Sequence, residues 1–106
     1  MQLTQLIEGL HVKDVHGTLT GDIKNISHNS KKIGYDGLFV ALKGSRANGH
    51  DYIPEALASG ATALIVEEDT PVDKDIPIIK VPDARVALAI VADCFYQHPP
   101  VPDDEQ

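Results

Sequence analysis

The sequence has a single cysteine, no long apolar run and no excess of positive charge, and each shortage excludes a class of protein. Because Cys94 is the only cysteine, an internal disulfide is impossible, and we interpret it as a lone buried thiol. No apolar run approaches the roughly 20 residues that a membrane-spanning helix needs. The N-terminus also lacks the basic-then-apolar layout of a secretion signal. We therefore expect a cytoplasmic protein without a membrane span.

Positive charge is scarce as well. Nine Lys and Arg residues stand against sixteen Asp and Glu residues, which gives a formal net charge of −7. Binding to DNA or RNA backbones depends on clustered basic side chains that displace counterions, so no nucleic-acid partner is expected. With 42% apolar and 24% charged residues, the 106 residues fit one ordinary globular domain.

The sequence patterns of common catalytic and metal sites are also missing. The five histidines are scattered, and no second His or Cys lies at ligand spacing around His28, so no metal site is predicted. Gly44 and Gly49 have the separation found in phosphate-binding loops, but no Lys-Ser/Thr follows them, so no ATP site is predicted. No Ser-His-Asp arrangement or carboxylate pair can be singled out, so no catalytic residue is predicted.

Apolar segments alternate with helical patterns along the chain. Helices are predicted over residues 4–10, over residues 52–59 with Asp51 as the N-cap and Gly60 as the stop, and from Asp83 as the N-cap to about Gln97. Buried strands are predicted over residues 38–42, 61–66 and 76–81, with short strands between residues 12 and 29. This alternation predicts an α/β fold, with a small mixed, mostly parallel sheet flanked by helices.

Two polar segments directly follow apolar ones, the position at which ligands bind beyond the carboxyl ends of strands in open α/β sheets. Residues 44–50 contain Ser, Arg, Asn and His side chains between glycines, and these donors suit a phosphate, a carboxylate or a sugar hydroxyl. Residues 27–32 follow an apolar stretch in the same manner. On composition alone, each segment suits an ordinary surface turn equally well.

The order of these segments resembles the N-terminal domain of the Mur ligases. The resemblance is carried by LFVALKG at residues 38–44, GHDYI at residues 49–53 and the turn at residues 56–61, and it extends from the N-terminus to about His98. VPDAR and FYQHP are more similar to members that add the third amino acid to UDP-N-acetylmuramoyl-L-alanyl-D-glutamate than to pentapeptide-forming members. The resemblance implies a UDP-sugar-binding domain over residues 1–98 and a linker or disordered acidic tail over residues 99–106.

The resemblance also implies which residues contact the substrate. The family's uridine-nucleotide contacts fall on His28 and Ser30, and a further group in the loop after the apolar strand falls on Ser45, Arg46 and Ala47. Arg46 carries the strongest fixed charge of the loop, so it is predicted to bind an anionic group. The following Gly-His pair at residues 49–50 is expected to shape the loop.

This chain departs from the family pattern in three respects, of which one is Tyr35-Asp36-Gly37 where the family usually has a Pro-Gly-Asp turn before the strand. Asn29 and Lys31 replace an acid and an arginine, so the turn that holds Ser30 is expected to be braced differently. The family's ATP loop ending in Gly-Lys-Thr does not follow FYQHP. ATP and magnesium are therefore expected in a central domain outside this sequence, which together with a C-terminal domain would be the partner for ligation, and the chain alone is expected to be non-catalytic.

Three alternatives stay open from the sequence. The domain could be a non-catalytic adaptor that binds no nucleotide, or the corresponding domain of a pentapeptide-forming Mur ligase. A third alternative is a nucleotide site that gains measurable affinity only when neighbouring domains complete the cleft.

Overall fold

The structure, a computed structural model, describes residues 2–17, 19, 21–43, 48–68 and 76–97. Its helices are α1 (Leu3–Leu6), α2 (Ile53–Ser59) and α3 (Ala84–Gln97), and a 3-10 turn over Gly49–Tyr52 leads into α2. Its strands are β1 (Asp14–His16), β2 (Asn25–Ser27), β3 (Gly37–Val40), β4 (Ala61–Val66) and β5 (Ile78–Lys80). Within the described ranges, no helix combines the length and the apolar character required to cross a membrane.

The strands form one sheet in the order β1-β5-β4-β3-β2. The four strands from β5 to β2 run parallel to their neighbours, and β1 pairs with β5 in the antiparallel direction at one edge. The predicted fold class, an α/β domain with a small mixed and mostly parallel sheet, is confirmed.

Helices cover both faces of the central strands, which explains why β3 and β4 are almost continuously apolar. All four residues of β3 are buried. Because side chains alternate across a strand, successive residues enter two separate cores. The core beneath α1 and α3 contains Leu3, Leu6, Leu38, Val40, Ile65, Ile79 and Val91. The core beneath α2 contains Ile33, Phe39, Ile53, Ala56, Leu64, Val66 and Ile78.

The start of α3 and the end of α2 lie where the sequence predicted them. Asp83 is the N-cap that the sequence predicted, because its Oδ1 accepts the backbone N–H groups of Arg85 at 2.9 Å and Val86 at 3.3 Å. Gly60 ends α2 with a left-handed φ of +120°, and its N–H bonds back to the carbonyls of the last turn. Both predictions are confirmed.

Two predicted helix starts are wrong. Asp51 does not cap α2, because it lies inside the 3-10 turn formed by residues 49–52. The N-cap of that turn is Asn48, whose side chain accepts the N–H of His50. The first helix covers Leu3–Leu6 instead of residues 4–10, and no side chain caps it. Leu3 and Leu6 are buried, so packing beneath α3 accounts for this single turn better than its capping residues do.

Candidate functional site

The carboxyl ends of β2, β3 and β4 meet at one rim of the sheet, because these neighbouring strands are parallel. Ser27 at the end of β2 lies opposite Phe39, and Val40 at the end of β3 lies opposite Ile65. The turn of residues 28–31 leaves β2 at this rim, and the segment that begins with Lys43 leaves β3 there. The described parts of both predicted polar segments therefore lie at the same rim.

Ser30 is held inside the turn after β2. It is 6% exposed, and its hydroxyl donates a hydrogen bond to Oε1 of Glu55 in the first turn of α2. Asn29 braces the turn, since its Oδ1 accepts the N–H of Lys31 at 2.9 Å and its own N–H donates to Oγ of Ser27 at 2.9 Å. This bracing agrees with the expectation drawn from Asn29 and Lys31, because it uses side-chain-to-backbone bonds in place of an acid–arginine pair.

An open pocket of about 410 Å³ lies between this turn and the start of α2, and it is lined by His28, Asn29, Ser30, Lys31, Tyr52 and Glu55. Its volume lies within the usual range for small-molecule sites. Two predicted contact residues, His28 and Ser30, thus line one pocket. Tyr52 is 45% exposed and presents an aromatic ring beside the polar groups.

Backbone pairing holds both ends of the segment after β3, where the chain leaves the sheet and where it returns to it. Lys43 and Asn48 pair as an isolated antiparallel bridge, and the N–H of Gly49 donates to the carbonyl of Leu42 at 2.6 Å. A Cβ at Gly49 would lie 2.6 Å from the backbone of Leu42, so glycine is required by this close approach. The predicted contacts Ser45, Arg46 and Ala47 lie outside the described residues, between these two pinned positions.

His50 ties the returning end of this segment to β4. Its side chain is 6% exposed, its Nδ1 lies 2.6 Å from Oδ1 of Asn48, and its Nε2 accepts the backbone N–H of Glu67 at 3.1 Å. Because Nε2 accepts, the ring proton is on Nδ1 and is donated to Asn48. Burial lowers the pKa of His50, and the nearby Glu68 carboxylate opposes that effect. The predicted loop-shaping role of the Gly-His pair agrees with this geometry.

Lys43 and Glu68 join the other end of the segment to the loop after β4. Their Nζ and Oε2 atoms are 2.8 Å apart, and both side chains are about half exposed, at 49% and 46%. This contact raises the pKa of Lys43 and lowers the pKa of Glu68 through a charge-assisted hydrogen bond. The neighbouring Glu67 contacts α3 instead, because its Oε2 accepts the N–H of Ala84 at 2.7 Å, and this bond connects the rim to α3.

Sequence reasoning missed Tyr52 and Glu55 as pocket residues. Both were placed in a predicted helix, and the contact between Ser30 and Glu55 spans 25 residues of the chain. A contact at that separation leaves no periodic pattern in one sequence. The one available signal was the location of both residues just after the second polar segment.

The two turns that lead into α2 and α3 do not fit the phosphates of ATP and a magnesium ion. The turns that lead into α2 and α3 read Asn-Gly-His-Asp-Tyr and Val-Pro-Asp, and neither has the Lys-Ser/Thr that holds nucleotide phosphates and a magnesium ion. Among the residues described, no group of three His, Cys, Asp or Glu side chains is arranged to hold a metal ion. These two turns therefore lack the groups that would bind ATP.

Curated relatives match nearly the whole chain. The chain is 44% identical over 99 residues to UDP-N-acetylmuramoyl-L-alanyl-D-glutamate--2,6-diaminopimelate ligase of Clostridioides difficile strain 630, and this match covers 93% of the chain and 20% of the relative. It is 36% identical to UDP-N-acetylmuramyl-tripeptide synthetase 2 of Oceanobacillus iheyensis, with the same coverage. The chain thus spans about a fifth of the length of these relatives.

Solved structures and a family model point in the same direction. MurF from Acinetobacter baumannii superimposes with a TM-score of 0.70 and 29% identity over 85% of this chain and 20% of that one. MurF ligase from Thermotoga maritima in complex with ADP gives a TM-score of 0.57 and 42% identity, and the match covers 65% of this chain and 16% of that one. The model of the Mur ligase family, catalytic domain, matches residues 22–96. The chain belongs to the Mur ligase family.

Proposed function

We propose that this chain is the substrate-anchoring domain of a peptidoglycan-precursor ligase and that it binds the UDP part of UDP-N-acetylmuramoyl-L-alanyl-D-glutamate. The names of the curated relatives support this substrate and the addition of the third amino acid. The observation that carries the proposal is the shared rim of β2 and β3. There the pocket beside Ser30 lies next to the strand from which the segment containing Arg46 departs.

The contacts of Ser30 indicate which ligand groups it suits. Because its hydroxyl proton is donated to Glu55, its oxygen remains free to accept a hydrogen bond. An acceptor of this kind suits a ribose hydroxyl or the imide N–H of uracil better than a phosphate oxygen. In this arrangement His28 and the ring of Tyr52 contact the nucleoside from the same pocket.

The diphosphate requires cations and donors, which the other predicted segment supplies. We assign it to Arg46, with Ser45 and Ala47 contributing hydroxyl and backbone N–H donors, because guanidinium groups bind phosphate oxygens through two parallel hydrogen bonds. Lys31 lines the pocket and adds a second positive charge. Lys43 is already paired with Glu68, so it is a weaker candidate for this contact.

Binding of the remote UDP group would serve ligation by positioning. Binding energy from a non-reacting part of the substrate holds the distant carboxylate near ATP in another domain, and this raises the rate through proximity and orientation. In this proposal the ATP and magnesium sites and the catalytic residues belong to the central and C-terminal domains. The chain alone then shows no phosphate release above background when it is supplied with ATP and all substrates.

Titration of UDP against the protein and its Arg46→Ala variant tests the site. Loss of one charge-assisted contact costs about 1.5–3 kcal/mol, which corresponds to a roughly 10- to 150-fold weaker affinity. Arg85→Ala is the matched control, because Arg85 is the other arginine of the chain and lies exposed in the first turn of α3. Equal affinities of Arg46→Ala and Arg85→Ala would contradict the assignment of Arg46.

Amide chemical shifts separate nucleotide binding from a purely adaptor role. Addition of UDP is expected to shift the amides of residues 28–31 and 44–48, whereas an adaptor would show no change in either segment. If only a longer protein containing the neighbouring domains responds, the cleft requires those domains for measurable affinity.

The solved MurF structures favour a second candidate, the corresponding domain of a pentapeptide-forming ligase. Both candidates share the UDP group, so this chain's own binding does not distinguish them. Assays of the complete ligase with a diamino acid and with D-alanyl-D-alanine as the added group distinguish them directly.

A further inference from the structure

We infer that Glu55 is a positioning residue that makes the proposed nucleoside pocket select uracil over cytosine. Its carboxylate takes the hydroxyl proton of Ser30, so the hydroxyl offers only an acceptor to N3 of the base. The inference rests on the proposed function and deepens it, because it names the group of the nucleoside that the pocket recognises. It adds a residue of α2 that lies outside the two predicted polar segments.

The first step of the argument is that the Ser30 hydroxyl has a fixed direction. An ionised carboxylate only accepts hydrogen bonds, so the hydroxyl must be the donor in its bond to Oε1 of Glu55. Ser30 is 6% exposed, so water cannot readily take the place of Glu55. Because its single proton is already donated, the hydroxyl oxygen can only accept a further hydrogen bond.

The second step is that the turn after β2 holds the backbone around Ser30 in place without help from α2. Oγ of Ser27 accepts the N–H of Asn29 at 2.9 Å, and Oδ1 of Asn29 accepts the N–H of Lys31 at 2.9 Å. These bonds involve residues on both sides of Ser30. Glu55 approaches from another element of the fold, and its bond sets the direction of the hydroxyl within a turn that is already formed.

The third step is that N3 of the base is the group for which this direction matters. A ribose hydroxyl both donates and accepts, so it can bond to Ser30 whichever way the serine hydroxyl points. N3 of uracil carries a hydrogen and only donates, whereas N3 of cytosine only accepts. Opposite an oxygen that only accepts, uracil gains a hydrogen bond, whereas cytosine places two acceptors against each other.

The other side chains that line the pocket suit the same base. The N3–H of uracil lies between two carbonyl groups, which need hydrogen-bond donors. Lys31 and the side-chain amide of Asn29 bring donor groups to the lining. Tyr52 is 45% exposed and brings an aromatic ring on which a base can stack. The negative charge of Glu55 disfavours a phosphate here, in agreement with a nucleoside as the occupant.

Calorimetric titration with UDP and with CDP at pH 7 tests the inference. Both probes have the same ribose and diphosphate, so effects on charge or stability cancel in the ratio of their affinities. The unaltered protein should bind UDP roughly tenfold more tightly than CDP. Glu55→Ala frees the Ser30 hydroxyl to donate to N3 of cytosine. CDP should then bind more tightly than it binds the unaltered protein, and the ratio should fall to about threefold or less.

Two further variants accompany this measurement. Asp51→Ala is the control, because Asp51 is an exposed acid directly before Tyr52 and lies outside the lining of the pocket, so the preference for UDP should persist. Ser30→Ala removes the hydroxyl itself. It should bring the two affinities together by weakening UDP, in contrast to Glu55→Ala, which should strengthen CDP.

The outcomes separate the inference from the proposed function. A change that only damages the fold weakens both probes alike and leaves their ratio unchanged. An unchanged ratio in Glu55→Ala, or equal affinities of the unaltered protein for UDP and CDP, would overturn the inference while the proposed function stands. If neither probe binds the protein, the proposed function fails and the selection of uracil fails with it.

Discussion

The pair formed by Ser30 and Glu55 is the feature of the site most open to a test at the scale of single residues. Glu55→Ala leaves the buried Ser30 hydroxyl without its acceptor, so the free energy of unfolding should fall by about 1–3 kcal/mol. A double-mutant cycle with Ser30→Ala should give a coupling energy of about 1 kcal/mol in urea denaturation. Glu8→Ala, which removes an exposed glutamate beyond α1, is the control. Additive effects of the two changes would contradict the hydrogen bond.

Single residues were predictable from the sequence where the signal was local. Asp83 precedes an apolar helical pattern, and the structure confirms it as a cap. Asp51 carried the same signal, but the 3-10 turn from Gly49 moves the start of the helix past it. Glu55 could not be predicted, because nothing within its own helix indicates that the turn after β2 lies against it.

At the scale of elements, the junction between α2 and β4 depends on Gly60. Gly60→Ala would place a side chain at a φ of +120°, with its Cβ 2.9 Å from the backbone of Tyr35. We expect the free energy of unfolding, measured by urea denaturation, to fall by about 1–3 kcal/mol from the backbone strain, and further from the collision.

Gly21→Ala is a matched control for this change, because Gly21 has a φ of +119° and, its chain neighbours aside, no atom of the described residues lies within 4 Å of the position that its Cβ would take. The difference between the two variants therefore measures the collision of Gly60 with Tyr35 apart from the strain. Equal losses of stability would show that the approach of Tyr35 to this junction is unimportant.

Elements were predictable to the extent that they are buried on both faces. The bounds predicted for β4 are those observed, and its neighbour β3 differs from the prediction only at its ends. The edge strands β1 and β2 are partly exposed, with no fully buried residue in either, so their sequences carry no clear apolar pattern. Their bounds could not be predicted well for that reason.

At the scale of the whole molecule, the burial of His50 makes folding stability depend on pH. In the unfolded chain the imidazole has its ordinary pKa of about 6.5, whereas burial lowers the pKa of His50 in the folded protein. Above a pH of about 6.5 the ring is neutral in both the folded and the unfolded protein, so the stability contributed by burying the neutral ring is fully present. As the pH falls from about 6.5 toward the folded-state pKa, the unfolded state binds the proton first and stability is lost.

The measurement is urea denaturation at a series of pH values between 8 and 5. In the acidic part of this range, the free energy of unfolding of the wild-type protein should fall more steeply with decreasing pH than that of His50→Gln. The two slopes should differ by at most about 1.4 kcal/mol per pH unit, which is the limit for one proton. A slope unchanged by His50→Gln would show that the ring titrates alike in both states.

The fold class of the whole molecule followed from the order of its segments, because alternating strands and helices have few ways to cover a sheet. The meeting of the two polar segments at one rim also followed, once β2 and β3 were found to be parallel neighbours. The remaining contacts of the rim run from His50 to Glu67 and from Lys43 to Glu68. They depend on how side chains are placed between the segments that follow β3 and β4, and they have no counterpart in the linear pattern.

The bridge between Lys43 and Asn48 has a consequence for how such a domain can change its ligand. The residues on either side of the intervening tetrapeptide are held by the bridge itself and by the bonds from Gly49 to Leu42 and from Lys43 to Glu68, and substitutions within the tetrapeptide leave these contacting residues unchanged. Libraries randomised there, with the anchoring residues untouched, should yield mostly folded proteins, and selection on nucleotide analogues would then explore recognition separately from stability.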